Sequence, residues 1–303
     1  CFRHHHDERI LRDAGIVGMG GAGFPTHVKL SPPKDKKIDY VIINGAECEP
    51  YLTSDHRVML EYPDLVIYGL RAVMKVFSLQ SGYIGIETNK PDAVEVLKEQ
   101  AKKYNGIEVV QMQTKYPQGA EKQVIKAVAN REVPSGGLPA DAGAIVINID
   151  TAVSIAIAIK TGMPVVRRIV TVAGDAVTDP KNLEIRLGMS FREIFEASGG
   201  FSSEPGKIIM GGPMMGMAQF SLDVPAIKGT SALLALTMPD EVFAEDTACI
   251  RCGKCVKACP MKLMPLYLNL YAIKKDWDMC EKYNITDCME CGACSYLCPG
   301  KQH

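Results

Sequence analysis

Three observations predict an α/β fold with a largely parallel sheet, then a compact β-grasp-like module, then a helical segment built around metal clusters. Apolar runs of strand length alternate with helical patterns from Ile38 to Thr161, the pattern of parallel strands joined by crossover helices. From Pro164 to about Pro239 the chain changes to short apolar runs between Gly-, Pro- and Met-rich turns. Near the end, Cys249, Cys252, Cys255 and Cys259 precede Pro260, and Cys288, Cys291, Cys294 and Cys298 precede Pro299.

The elements follow in order. Asp7 to Ala14 reads as the end of a helix, with Ile10 and Leu11 on its apolar side and Gly15 as its stop. Five glycines lie between Gly15 and Gly23, and Gly18, Gly20 and Gly23 satisfy G-x-G-x-x-G. A dinucleotide fingerprint follows a strand and opens a helix. Here a helix precedes it and Pro25 follows at once, so the two readings are an anion-binding loop and a flexible turn. Lys29 is the candidate phosphate counter-charge.

Ile38 to Ile43 is a buried strand ending at Asn44-Gly45, and Glu47, Cys48, Glu49 and Pro50 come directly after it. Leu52 to Lys75 reads as helix broken near Pro63, Ser81 to Glu87 as strand, Pro91 to Tyr104 as helix and Ile107 to Met112 as strand. Tyr116 to Glu121 leads into a helix ending at Asn130. Gly143 to Ile149 is a strand, and a helix runs from Ala152 to Thr161. In the next module, strands are expected at Arg168–Ala173 and Ile208–Met210 and a helix at Ser190–Ala197. Met214, Met215 and Met217 read as packing rather than chemistry. Glu241 to Thr247 is a link, and Leu263 to Tyr283, with Trp277, a helical spacer between the cysteine runs.

Each cysteine run is C-x2-C-x2-C-x3-C-P, the ligand pattern of bacterial two-cluster ferredoxins. The first three thiolates of a run grip one cubane and the fourth reaches the other. Cys249, Cys252, Cys255 and Cys298 are therefore assigned to one [4Fe–4S] cluster, and Cys288, Cys291, Cys294 and Cys259 to the second. Zinc prefers separated C-x2-C pairs, and a disulfide framework belongs to small secreted chains. Eight of the eleven cysteines are thereby assigned. Cys1, Cys48 and Cys280 remain as free thiols, with Cys48 read as a buried small hydrophobe and Cys280 as a spare thiol.

Composition closes off other classes. The 303 residues hold two or three domains, and a 47% hydrophobic content is that of a globular protein with its own core. A net charge of −1 supplies no basic field for nucleic acid or anionic lipid. No apolar run reaches the roughly 20 residues of a membrane span and no signal peptide is visible, so membrane association would go through a partner. The start at Cys1 suggests part of a longer protein, and His4, His5 and His6 read as a solvated tail. Glu47 and Glu49 read equally well as helix caps, and His27 and His56 as surface or hydrogen-bonded histidines.

Gly18 to Thr26 with Lys29, and Asn44-Gly45-Ala46-Glu47-Cys48-Glu49-Pro50, resemble the flavin-binding signatures of the NADH-oxidising subunit of respiratory complex I. The closer resemblance is to the C subunit of the Rnf electron-transport complex. It rests on residues 45–57, Met-Gly-Gly-Pro-Met-Met-Gly at 210–216 and the paired cysteine runs. That resemblance implies a Rossmann-like FMN/NADH-binding α/β domain over residues 1–163. It further implies a soluble-ligand-binding β-grasp (SLBB-like) domain over 164–240, a helical two-[4Fe–4S] ferredoxin-like domain over 241–303, and a further N-terminal domain in the family.

The resemblance also implies where the cofactors sit. FMN phosphate would rest at Gly18, Gly20 and Gly21 near Lys29, with Asn44, Glu47, Gly119, Asn148 and Thr151 around ring and ribityl. NADH would stack near Phe24 and touch Glu49, Tyr116 and Glu121. Ala46, Ala120, Ile147 and Pro32 depart from the complex I pattern. The implied role is an NADH-oxidising flavin/iron–sulfur oxidoreductase subunit with no general acid or nucleophile. It would sit on the cytoplasmic face of the bacterial membrane among partner subunits and exchange electrons with ferredoxin or a ferredoxin-like subunit. A soluble cobalamin reductase of the propanediol-utilisation type and a flavin-free iron–sulfur relay are the competing readings.

Overall fold

The computed structural model describes residues 4–237 and 247–302. It forms two compact units, Cys1–Val133 with Leu138–Thr237, and Pro134–Gly137 with Met238–His303. The expected link Glu241–Thr247 falls almost wholly outside the described residues.

The first unit begins with α1 (His4–Asp13), stopped at Gly15, and the glycine-rich loop then leads to the short α2 (Thr26–Lys29). There follow β1 (Tyr40–Gly45), α3 (Ser54–Glu61), α4 (Pro63–Val76), β2 (Gly82–Glu87), α5 (Pro91–Ala101), β3 (Ile107–Met112), α6 (Glu121–Ala129), β4 (Ala144–Asn148) and α7 (Ile149–Thr161). The four strands are parallel in the order β3-β2-β1-β4. Strands buried on both faces read as unbroken apolar runs, and Val41, Ile42 and Ile43 have no solvent exposure. Alternation sends Val41, Ile43, Ile84, Ile86, Ile145 and Ile147 into a core with α3, α4, α5 and α7. Ile42, Ala144 and Val146 face a second core with Val124 and Ile125 of α6.

Gly69 of α4 meets α7 so closely that a Cβ there would collide with Ala152, 2.7 Å from its carbonyl carbon. The helix expected from Ala152 starts at Ile149 instead, because the Asn148 side chain accepts from the Asp150 and Thr151 N–H groups and caps it.

The module after residue 164 is richer in strands than its sequence suggests. β5 (Arg167–Ala173), β6 (Lys181–Arg186), β7 (Lys207–Met210), β8 (Met217–Gln219) and β9 (Ala232–Leu236) make a mixed sheet ordered β6-β5-β9-β7-β8, with β5 and β9 parallel. Helix α8 (Phe191–Ala197) packs across it, burying Phe191, Ile194 and Phe195 against Val170, Val172, Leu233 and Ala235. Ser190 and Glu193 form its capping box.

The second unit contains α9 (Lys254–Ala258), α10 (Pro265–Ile273), α11 (Trp277–Lys282) and α12 (Ala293–Tyr296). The expected spacer Leu263–Tyr283 is thus two helices. Lys275 turns left-handed at φ +57, and the Asp276 side chain caps α11 at the Met279 N–H. Among the described residues no helix is long and apolar enough to cross a membrane.

Candidate functional site

In an open parallel sheet ligands bind outside the carboxyl ends of the strands, where strand order reverses. With the order β3-β2-β1-β4, that point lies between β1 and β4. Asn44 and Asn148 are register partners there, side by side at the two strand ends. Asn44 Nδ2 donates to the Gly119 carbonyl (2.8 Å), and the Gly119 N–H is 3.2 Å from the Cys48 sulfur that accepts it. Burial pushes the Cys48 thiol up to about 11, so it is an uncharged acceptor at neutral pH. The loop after β1 and the loop before α6 are therefore tied together.

The glycine-rich loop closes over the same point. Gly18 N–H donates to Phe24 O, Gly23 N–H to Gly18 O, and the Val17–Pro25 bridge seals its base. Met19 N–H donates to Thr151 Oγ1 at 2.9 Å, and a Cβ at Gly20 would stand 3.7 Å from Asn148. Gly21 has φ +112, a conformation that favours glycine. The N–H groups of Gly20, Gly21 and Ala22 have no acceptor among the described residues. Such a run of unclaimed amides suits a phosphate.

Glu47 adopts φ +45 and turns its carboxylate onto the first turn of α3, accepting from Asp55 N–H (2.7 Å) and His56 N–H (3.1 Å). Burial raises its pKa. Asp55 is pushed up to about 8, by burial first and then by Glu47 and Asp150, while its Oδ2 accepts from Asn148 Nδ2 at 2.6 Å. Buried Lys90 holds the loop from beneath, donating to Ala46 O at 2.6 Å and standing 3.6 Å from Glu87.

The β-grasp module grips the site from two sides. Arg168, buried in β5, donates through Nη2 to Met19 O (3.1 Å) and through Nη1 to Lys228 O. Its Nε lies 3.0 Å from Asp150 Oδ2, off-axis for a hydrogen bond. On the other side Glu49 accepts from the Met214 N–H at 3.1 Å, and any side chain at Gly212 would collide with that carboxylate.

The predicted residues are thus not all in one place. Gly20, Asn44, Gly119, Asn148 and Thr151 come together at the switch point, and Gly18 and Gly21 belong to the loop that reaches it. Lys29 is committed to Glu121 and to Val146 O (3.1 Å) on the edge strand β4. Glu47 acts on α3, and Glu49 faces the β-grasp module. The Phe24 ring is 49% exposed, free to stack, and Tyr116 is partly buried. Ala46 and Ile147, two of the departures, are sealed in the core. Ala120 is the N-cap of α6 and Pro32 is partly exposed. Two buried oxygens, Glu49 Oε1 and Gln118 Oε1, have no partner among the described residues, a condition that calls for a donor. With the free amides, these groups fit a phosphate-bearing, hydrogen-bonding ring. A separate apolar cavity of about 190 Å³ beside Leu11, Leu30, Tyr68 and Ile159 contains none of the site residues.

In the second unit the two cysteine runs repeat one backbone. Arg251 and Glu290 both turn left-handed (φ +55 and +53), as do Gly253 and Gly292 (+74 and +73) and Lys262 and Lys301 (+56 and +53). Each pair has the separation of Cys249 from Cys288. Burial pushes the Cys291 thiol up, and Cys294, Cys259 and Cys288 push it the same way. Those are the four sulfurs assigned to the second cluster, including the one from the other run. Leu263 N–H donates to Cys259 Sγ (3.3 Å) and Glu290 N–H to Cys288 Sγ (3.4 Å). No three His, Cys, Asp or Glu side chains among the described residues close around a single ion. In a cubane each thiolate sits on its own iron, so the four stand farther apart than the sulfurs of a zinc site.

Three family models match in order: the Nuo51 FMN-binding domain over residues 11–157, the SLBB domain over 169–218 and the 4Fe-4S dicluster domain over 248–301. These models cover the strand-end site and the doubled cysteine unit and define a flavin- and iron–sulfur-binding protein, with FMN and two [4Fe–4S] clusters as its cofactors. The chain is 52% identical over 280 residues to the C subunit of the Na(+)-translocating ferredoxin:NAD(+) oxidoreductase complex of Acetobacterium woodii, covering 92% of this chain and 63% of that one. It is 51% identical to the proton-translocating counterpart of Clostridium ljungdahlii, covering 92% and 61%. It belongs to the C-subunit family of these ion-translocating oxidoreductase complexes, and spans about three-fifths of the length of these two relatives. The crystal structure of an NAD+-reducing [NiFe]-hydrogenase in the H2-reduced state shares the fold at TM-score 0.64 and 18% identity, over 78% of this chain and 47% of that one.

Proposed function

We propose that this chain passes electrons between NAD(H), FMN and two [4Fe–4S] clusters as part of a membrane-bound ion-translocating ferredoxin:NAD oxidoreductase. It is peripheral, held on the cytoplasmic face by partner subunits, and exchanges electrons with a ferredoxin or ferredoxin-like subunit. Its domains are assigned to residues 1–163, 164–240 and 241–303. FMN, when bound, supplies the exchange between hydride pairs and single electrons that nicotinamide and a cubane cannot make directly.

The chain's own residues position and bind. The loop amides at Gly20, Gly21 and Ala22 take the phosphate, while Gly18, whose own N–H is spent on Phe24 O, shapes the loop, with Lys29 as a nearby charge. Asn44, Gly119, Asn148 and Thr151 line ring and ribityl, and Glu47 holds their loop by capping α3. Phe24 offers the stacking face for NADH, and Glu49, Tyr116 and Glu121 lie on the nucleotide side. Cys249, Cys252, Cys255 and Cys298 hold one cluster, and Cys288, Cys291, Cys294 and Cys259 the other.

The observation carrying this reading is the switch point, where Asn44 and Asn148 stand in register and Gly20, in the loop with three unclaimed amides, comes up to Asn148. The test is anaerobic NADH titration of the reconstituted chain with optical and EPR spectra, after counting acid-released FMN and iron. Bleaching of flavin and reduction of both clusters are expected. A chain that carries FMN and both clusters but does not bleach with NADH overturns the NADH reading.

A further inference from the structure

The two halves of the cluster unit share a backbone but not a charge. From Thr247 to Lys275 there is no acidic residue, whereas Arg251, Lys254, Lys257, Lys262, Lys274 and Lys275 are basic. From Asp276 to Glu290 the balance reverses, with Asp276, Asp278, Glu281, Asp287 and Glu290 against Lys282. Arg251, Lys254, Lys257 and Lys262 are exposed, and none has a carboxylate within ion-pair distance among the described residues. The cations cluster around the first cysteine run, and two of its ligands, Cys249 and Cys252, are exposed thiols. Beside those ligands stand exposed apolar side chains: Ile250 at 69%, next to Cys249, and Tyr296 and Leu297 at 77% and 47%, just before Cys298.

Isolated exposed apolar residues need no explanation. Three beside the ligands of one cluster are different, since α12, which carries Tyr296, packs against α9, which carries the unpaired Lys254 and Lys257. Small apolar contacts around a surface redox centre, rimmed by one sign of charge, make a weak, fast electron-transfer encounter. We propose that this rim of the first cluster site is the docking surface for an acidic one-electron carrier protein. A cluster held by Cys249, Cys252, Cys255 and Cys298 would take up the one electron that the carrier's reduced centre gives up, with no proton or bond changing hands. The proposal rests on the cluster assignment above and adds to it the face of approach and the charge of the partner. The second run, carrying Asp287 and Glu290, repels such a carrier and so directs it to the first.

The test uses the reconstituted chain and a two-[4Fe–4S] ferredoxin of net negative charge. Calorimetric Kd and stopped-flow electron-transfer rate are both measured from 20 to 500 mM salt. Charge steering changes on-rates by about ten- to a thousandfold and fades with ionic strength. The double variant Lys254→Glu/Lys257→Glu is expected to weaken Kd at least tenfold at low salt. Glu290→Lys should leave it equal or tighter, and reduction by dithionite should be unchanged in both. A Kd that moves less than threefold in the double variant overturns the proposal. Should the double variant lose iron, the wild-type salt series decides: salt-independent Kd and rate overturn the proposal. Failure of the cluster assignment would appear separately, as missing iron in the wild-type chain.

Discussion

Replacing Arg168 with Ala should damage the flavin site through a residue outside the expected site, and the structure allows the size to be worked out. The guanidinium is buried beside the Asp150 carboxylate and holds the carbonyls of Met19 and Lys228. Removing one member of a buried ion pair costs about 3–5 kcal/mol, because the other charge is left without a partner. Asp150 can escape part of that cost by taking up a proton. Burial already raises its pKa, and Arg168 is the cause that lowers it. Without Arg168 the folded-state value climbs further above the unfolded one. A carboxyl raised in this way contributes stability at low pH that is lost as pH rises towards the folded value. The cost of Arg168→Ala should therefore be small near pH 4 and reach about 3–5 kcal/mol by pH 8. Urea unfolding at pH 5 and pH 8 measures it, and adding Asp150→Asn should remove the pH slope. Because Met19 O anchors the loop whose unclaimed amides are proposed to take the phosphate, FMN should bind at least tenfold more weakly, about 1.4 kcal/mol, read by flavin fluorescence. An Arg168→Ala chain within about 1 kcal/mol of wild type at pH 8, with unchanged FMN affinity, would refute the reasoning.

Asp55, pushed up to about 8, makes the chain lose stability as pH rises from about 4 to 8, by at most about 1.4 kcal/mol per unit. Asp55→Asn keeps an acceptor for Asn148 and should flatten that slope in unfolding titrations; an unchanged slope contradicts the assignment. Gly69→Ala should force α4 from α7 at a cost of about 1–3 kcal/mol or more, seen as a fall in Tm, and an unchanged Tm would contradict the close approach. Cys280, buried at 1% exposure, should change to Ser with a stability loss but full iron content, whereas Cys291→Ser should lose iron. The basic, exposed first cluster should have the higher reduction potential of the two. Lys254→Glu should lower that value alone in an EPR-monitored titration; equal shifts in both would argue against the charge asymmetry.

Much of the fold is legible in the sequence because parallel strands buried on both faces leave an apolar run that few other structures produce. The apolar runs Ile38–Ile43 and Gly143–Ile149 lie within two residues of β1 and β4 for that reason. Their pairing is not legible, since register is set by packing across the sheet, so nothing in the chain shows that Asn44 and Asn148 stand side by side. The early start of α7 is readable: an Asn before Asp150 and Thr151 is an N-cap signal. β6, β8 and β9 escape because three residues such as Met217–Gln219 carry no period, and Ala232–Leu236 has no polar alternation. Arg168 leaves a trace, as it shares the period-2 face of Val170 and Val172, and a cation on a buried face needs a partner. Glu47 is open to both readings by sequence, and only its φ of +45 and two backbone donors show which way it turns.

The order of the site follows from how its loops are fastened. Asn44, Cys48 and Gly119 tie the segment after β1 to the segment before α6, Lys90 holds the same segment at Ala46, and Glu47 pins it to α3. Thr151 and Arg168 fix Met19 at both of its backbone groups, one at the N–H and one at the carbonyl. A loop held this way does not have to be ordered by its ligand, and the binding free energy that ordering would otherwise take goes into affinity. The fastenings reside in the folded protein, so cutting one must lower stability as well as affinity. A residue that touches only the ligand must lower affinity alone. Arg168→Ala belongs to the first kind and Phe24→Ala, with its exposed ring, to the second, so the pair of measurements separates the frame of the site from its face.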